Sequence, residues 1–519
     1  MKKIYGLILL SLSLFVSCDN ELEPFTPGSL TEEVAIKTSS DLTRLMNSGM
    51  NLMTNRAEYV FTSVFTDEAS MGSNNGGQGI NQEFVFLMQP NDASATAIWA
   101  SSYAAISRFN RVIQFSSSVV PSSAADTELI NRAKAEALVL RAVCHLKIMS
   151  YFSPDPKDNN ALAGVLANRI IATSETPVRA TNGDFYASIH SDLDQALAIY
   201  ATNTAPAYTT KTIFASKALA QAIKARAYAL KGDYTNALTF ADQVINTSAI
   251  TLATTQAEYN AVFHTHNEAA GKEVIFRLKR TVQQNTQGSN LHNAWCSINN
   301  KRNGAPFYEV SRALYNKFDA TRLSGGDFRY GTNIYVNALD ASGSSLIDAN
   351  YTTSADVKLS DILVLQKHGG QSAVTGANTF NPDFMVCRLS EMYFIRAEAK
   401  VAAGDLTGAG VALKAILDAR FPTAQAAPVF ANAQAAWKGI LDERRKEFSF
   451  EGFRFIDMKR LGTLAGATLD RDPADYASSA WNIPAANPTN LPLTSYKWAL
   501  PIPQDELNAN SSIQQNTGY

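Results

Sequence analysis

Cysteine is scarce in this chain, four in 519 residues, and Cys18, Cys144, Cys296 and Cys387 stand far apart. There is no C-x-x-C pair, and once Cys18 is set aside three thiols allow at most one disulfide, so neither a redox motif nor a disulfide scaffold is present. Histidine is equally sparse. The six residues form no H-E-x-x-H, and His264 and His266 share a face only in an extended segment, so they read as a surface loop and no metal or other cofactor is expected. Excess positive charge is missing too. The formal net charge of -2 falls by two more when Lys2 and Lys3 leave with an N-terminal export leader, which excludes the basic footprint of a nucleic-acid binder. The longest apolar run, Ile4 to Val16, is too short to span a bilayer. Ser70 to Ile80, SMGSNNGGQGI, is rich in glycine but has no lysine and no strand-loop-helix setting. A phosphate cradle is therefore excluded, which leaves the role of a flexible binding or lid loop open.

Apolar material is ample, 46% of residues, enough for a large core in one or two domains. At the start, Lys2 and Lys3, the Ile4 to Val16 run and Ser17-Cys18 make the charged, apolar and small-residue regions of an export leader. A cysteine directly after the small residue looks like a bacterial lipobox. On that reading residues 1–17 are the signal peptide, Cys18 becomes the lipidated N-terminus, and 18–40 form the anchor and a polar tether carrying Pro24, Pro27 and Gly28.

Helical periodicity dominates the chain beyond the tether. Leu42, Leu45, Met46 and Met50 mark a helix over 41–53. Trp99, Tyr103, Ile106 and Phe109 mark another stripe, with Trp99 read as core, and Glu136, Leu140, Cys144 and Ile148 a third. A further helix is expected over 185–200. Then ARAYALKGDYTNA, Ala225 to Ala237, and AEAKVAAGDLTGA, Ala397 to Ala409, repeat the same plan. Alanines allow close helix contact, Gly232 or Gly404 ends the first helix, and Asp233 or Asp405 caps the second. This resembles the tetratricopeptide repeat, although the two units are separated by a long insertion, about 249–384. The insertion is rich in asparagine and aromatics, with short strands expected at Glu273 to Leu278 and Leu359 to Gln366. Trp295, Phe307, Tyr308, Tyr315 and Tyr330 lie near Asn290, Asn293 and Arg302. Ring faces with amide and guanidinium donors suit a sugar, whose CH face stacks while its hydroxyls bond. The candidate ligand residues are Trp295, Tyr308, Phe307 and Arg302, with Asn74 and Asn75 as a flap.

The most specified stretch is Leu441 to Gly462, LDERRKEFSFEGFRFIDMKRLG. Its first half reads as a helix that Gly452 stops, and its charges lie among Phe448, Phe450, Phe453 and Phe455. An unpaired charge there costs several kcal/mol, so a paired network through Arg444, Arg445, Glu447, Glu451, Arg454 and Asp457 is expected.

The E-R-R-x-E at Glu443 to Glu447, the E-G-x-R-F at Glu451 to Phe455, and Asp457, Arg460 and Gly462 resemble the C-terminal signature of the SusD/RagB family, surface lipoproteins of Bacteroidetes. Phe455 stands where that family more often has tryptophan. Ala135 to Phe152 resembles its long arginine-bearing helix, although Ser153-Pro154-Asp155-Pro156 replaces the usual glycine turn. Leu500 to Tyr519 resembles its last segment, and the acidic Asp19, Glu21 and Glu23 resemble its surface-export signal. The resemblance implies an all-α dominated fold in which tetratricopeptide-like repeats, about 95–248 and 385–460, pack against an irregular ligand-facing region with a few short strands. It implies one unit over 41–519 with an irregular tail from 463. It further implies capture of oligosaccharide or polysaccharide, or of peptide in a variant of the role, for a TonB-dependent SusC-like transporter, without catalysis. A hydrolase would need an acid and a base, for which Glu443/Glu447 and Asp192/Asp194 are the pairs on offer. A purely protein-binding solenoid would not need the aromatic insertion.

Overall fold

The computed structural model of the chain describes residues 32–72, 75, 81–203, 211–265, 272–281, 291–295, 306–334, 362–369, 382–476 and 487–519. Cys18, Asn74, Arg302 and Cys296 lie outside them.

Helices form where the apolar spacing placed them. α1 (Ser39–Leu52) opens with a capping box in which Thr38 and Asp41 satisfy each other's backbone N–H. α2 (Arg56–Phe65), α3 (Ala93–Phe115), α4 (Ala124–Phe152) and α5 (Asn182–Thr202) come next. From Ala135 to Phe152, α4 is buried on nearly every face, which fits a helix with neighbours on every side. Contacts from α1, α3, α5 and α6 (Lys217–Lys231) enclose it. Its Arg141 is no exception to burial, because the guanidinium grips Asp192 of α5 at 2.8 and 2.6 Å and donates to Asn110 of α3 at 2.7 Å.

The repeat motif folds as its residues require. α6 ends at Gly232, φ +84°, and Asp233 then caps α7 (Tyr234–Thr247) by accepting from the Asn236 N–H. In the second unit, α11 (Leu389–Ala402) gives way to Gly404, φ +77°, and Asp405 caps α12 (Leu406–Asp418). Such a φ is costly for a residue bearing Cβ. The two units are 172 positions apart, from Gly232 to Gly404, yet α7 packs directly on α11. In space the array is continuous, and the insertion leaves from between stacked neighbours.

The insertion holds more helix than its composition suggested: α8 (Gln256–His264), α9 (Arg312–Gly325) and the short α10 (Arg329–Asn333). Two antiparallel two-stranded ribbons join distant segments. β1 (Ala69–Met71) pairs with β3 (Tyr308–Val310), and β2 (Val274–Leu278) pairs with β4 (Phe384–Arg388). Of the strand expected at 359–366, residues 359–361 lie outside the described residues, and 362–366 are corrected to one isolated bridge, Ile334 to Leu365.

The signature stretch forms α13 (Ala433–Glu447) and α14 (Arg454–Ala465), with α15 (Gln504–Ala509) late in the tail. Gly452 is not the stop itself. α13 ends at Glu447, and a tight turn spends one left-handed residue on Phe450, φ +62°, before Gly452 at +85°. The tail is fastened to the end of α4: Leu500 N–H donates to Tyr151 O and Asn516 to Phe152 O, each at 2.8 Å. Cys144 and Cys387 are buried free thiols.

Candidate functional site

The segment that leads into the glycine and asparagine loop is paired with the aromatic insertion by the β1–β3 ribbon. Ala69, Ser70 and Met71 face Val310, Glu309 and Tyr308 in register. Beyond the ribbon the Gly72 N–H donates to Phe307 O at 2.8 Å. A Cβ at Gly72 would lie 2.1 Å from Pro306 O, so glycine is what permits this approach. Asn75 then folds back. Its backbone N–H reaches Gly72 O at 3.1 Å and its side-chain amide reaches Phe307 O at 3.2 Å, while its Oδ1 has no partner among the described residues. The turn after β1 is thus docked on the insertion at Phe307.

Not every ring expected to meet ligand is available. Trp295 is 1% exposed and Tyr308 5%. Trp295 meets Phe450 edge-to-face at 5.1 Å, Tyr308 at 6.2 Å and His368 in a stack at 6.1 Å. Both rings belong to a second core with Val64, Met71, Leu314 and Phe318, a correction to their reading as sugar platforms. Lack of helical period did not mean exposure, because Trp295 follows a short 3-10 turn and Tyr308 lies on a strand, and α2 and α9 cover both. Phe307 is only half-buried. Tyr315 is buried with its hydroxyl 3.0 Å from that of half-buried Tyr330.

What holds the ribbon is the signature network. Glu447 accepts from Arg388 and Arg420 at 2.8 Å each through Oε1, and from Arg420 at 2.9 Å and Arg329 at 3.2 Å through Oε2. Burial would raise its pKa, but Arg420, Arg388 and Arg329 hold it well below the carboxylate range. Glu451 is shared by Arg388 at 2.8 Å and Lys367 at 2.7 Å. On the other side Arg454 grips Asp67 at 2.7 and 2.8 Å, Arg445 donates to Asp67 O, and Arg444 pairs with Asp457 at 2.8 Å. All six signature residues are buried.

Phe450 joins this network to the ribbon. Its N–H donates to Glu68 Oε2 at 3.1 Å, its carbonyl lies 2.6 Å from His368 Nε2, and its ring packs on Trp295. Glu68 immediately precedes β1, and its carbonyl accepts from the Ser311 N–H just after β3 at 2.9 Å. Burial pushes the Glu68 carboxyl up to about 7, whereas Asp67, equally buried, is held far below its usual range by Arg445 and Arg454.

The carboxylate pairs considered for acid–base chemistry are engaged. Glu443 bonds Arg329 and Lys446, Asp192 bonds Arg141, and Asp194 meets Lys224. Among the described residues no group of three His, Cys, Asp or Glu is placed to hold a metal. Sequence reasoning missed Arg388, Arg420, Arg329, Lys367, Asp67, Glu273, which pairs with Arg388 and Arg420, and Glu398, which pairs with Arg444 and Arg460. A usable signal existed for Arg388, a lone cation inside the apolar run FMVCRL.

Known proteins share this outline. Residues 272–519 match the profile described as SusD family, and residues 29–229 match one described as starch-binding associating with outer membrane. SusD-like protein P2 of Formosa agariphila is 23% identical over 541 aligned positions, covering 100% of both chains. A SusD superfamily protein of Bacteroides thetaiotaomicron shares the fold at a TM-score of 0.73 and 23% identity, over 92% of this chain and 99% of that one. A laminarin-binding SusD-like protein does so at 0.67 and 20% identity, over 93% and 100%. Among the described residues no helix is long and apolar enough to cross a membrane.

Proposed function

The chain belongs to the SusD family, and on that premise we propose that it is a cell-surface lipoprotein that captures oligosaccharide or polysaccharide and delivers it to a TonB-dependent SusC-like transporter, without cleaving the ligand. The observation that supports the reading is the docking of Gly72 and Asn75 on Phe307, which joins the segment after β1 to the insertion. A preorganised face lowers the entropic cost of gripping a flexible glycan. Phe307, Asn74 and Arg302 remain the proposed ligand residues, whereas Asn75, itself buried, is corrected to a residue that fastens the turn after β1 to Phe307. A neighbour of the same fold is named for binding laminarin, which makes that glucan the first polysaccharide to try. Engagement of the carboxylate pairs in ion pairs supports binding without turnover.

Calorimetric titration with laminarin and a panel of other polysaccharides, with product analysis of the same mixtures, tests this. Saturable binding without shortened products is expected, and Phe307→Ala should weaken it roughly tenfold, on the scale of one aromatic contact. Shortened products, or no binding across the panel, would remove the reading. The lipid anchor is tested separately. Cys18→Ala should release the protein from the outer membrane, since stable attachment needs its acyl chains. Pull-down from mild detergent should recover a partner of transporter size.

A further inference from the structure

Away from the ribbon, the helical scaffold encloses a cavity of about 130 Å³ where α2, α4, α6, α11 and the turn between α13 and α14 converge. Its floor is apolar and buried: Tyr59, Leu230, Phe384, Met385 and Ile395 are each less than 9% exposed. An apolar cavity of about 150 Å³ in another protein admits benzene, so this volume suits a body of about one six-membered ring. Four buried charges of the signature network, Arg444, Glu451, Asp457 and Arg460, also line it, each already in an ion pair, and the remaining charged groups sit at a part-exposed end. Lys147 pairs with Glu58 at 2.5 Å, their side chains 18% and 14% exposed, and Arg226, 24% exposed, pairs with Glu391. Burial works against the charge on Arg226, and Glu391, with Glu58 further off, upholds it, so the two ion pairs form one electrostatic cluster of four groups.

The two cations at that mouth balance its two carboxylates in charge, but they leave N–H donors unspent. Arg226 spends Nε and Nη2 on Glu391 and Val386 O, with no bond from Nη1 among the described residues. The Lys147 ammonium has three N–H groups and a single ion-pair partner. Glu391 already accepts twice from Arg226 and faces the Cys387 thiol, which leaves Glu58 as the carboxylate with spare capacity. An apolar floor beneath a mouth with surplus N–H donors selects a compact apolar body with an anionic head.

We infer that this cavity is a second ligand site, separate from the β1–β3 face, that takes a small monocarboxylate with a ring-sized apolar body. The head meets Lys147 and Arg226, and the body displaces solvent from the floor. A sugar is the poorer occupant, because its ring of hydroxyls would lose water against the apolar floor without finding partners.

Titration of the full chain with benzoate, benzamide and glucose tests the assignment. Benzoate should bind at millimolar concentration or below, benzamide roughly tenfold more weakly, and glucose not at all, since a charge-assisted bond is lost in the amide. Val143→Phe, which fills the cavity from α4, should abolish benzoate binding. Ala229→Leu does the same from α6 should the larger change prevent folding, as read by circular dichroism. Lys147→Met should weaken benzoate and leave benzamide unaltered. The assignment falls if benzoate fails to bind, if benzamide matches it, if both cavity-filling variants bind benzoate normally, or if glucose binds the parent and not those variants.

Discussion

Two buried regions meet at Phe450, and they were built by opposite means. On one side, Glu447 draws three guanidinium groups into the interior, and each charge finds its partners within the network. On the other, Trp295, Tyr308 and Phe450 pack ring on ring beneath the ribbon. The charged side was readable as interior because charges among phenylalanines are tolerable only when paired. The aromatic side had the sequence character of a ligand face because its rings follow no period. The difference teaches that charge among rings reports its own burial, whereas an aperiodic aromatic does not report where it points.

The sharpest way to break that comparison is Glu447→Ala. It strands Arg388, Arg420 and Arg329 without their common acceptor, and denaturant unfolding should show a loss near the upper end of about 3–5 kcal/mol. A change below about 1 kcal/mol would mean that the network is dispensable. Trp295→Ala should come next, at about 3–4 kcal/mol for emptying an aromatic site in a core. Unaltered stability with lost glycan binding would return Trp295 to the ligand face and erase the contrast.

Adjacent Asp67 and Glu68 sharpen it through pH. The Glu68 pKa is raised by folding from 4.5 to about 7, so the folded chain holds the proton more tightly. Its contribution is complete below about pH 4.5 and is lost as pH rises through about 7, amounting to about 3 kcal/mol. Asp67 runs the other way. Its folded pKa is depressed, so its stabilisation is present above the usual aspartate range and lost as pH falls toward the folded value. Glu68→Gln should therefore flatten the decline of stability between pH 4.5 and 7 relative to wild type, as followed by urea midpoints. An identical pH profile would place the proton elsewhere.

The smallest effect expected is at the repeat turn. Gly404→Ala meets nothing within 4 Å, so its cost is the left-handed backbone alone, about 1–2 kcal/mol. Gly410→Ala, whose Cβ would lie 2.2 Å from Pro428 O, should cost more. Reversal of that order in thermal melts would show that backbone conformation, not packing, rules the second repeat.

Much of the helical scaffold was legible because its signals are local. Apolar spacing, the Gly-Asp turns and the capping residues act within a few positions of one another, and α1, α5, α6, α7, α11 and α12 formed where those signals lay. Pairing of the signature charges was legible as a requirement, since desolvation must be offset wherever the partner comes from. The identity of the partners was not. Asp67 reaches Arg454 across 387 positions and Glu273 reaches Arg420 across 147, and no local pattern encodes such a meeting. The same holds for the stacking of α7 on α11 across the insertion, for the docking of Gly72 on Phe307, and for the burial of Trp295 and Tyr308. The sequence by itself determined which segments coil, where they stop and which charges had to be matched, because these follow from short-range sterics and from the cost of desolvation. Only the tertiary structure decided which surfaces were left for a ligand, because exposure is what remains after distant segments have covered one another.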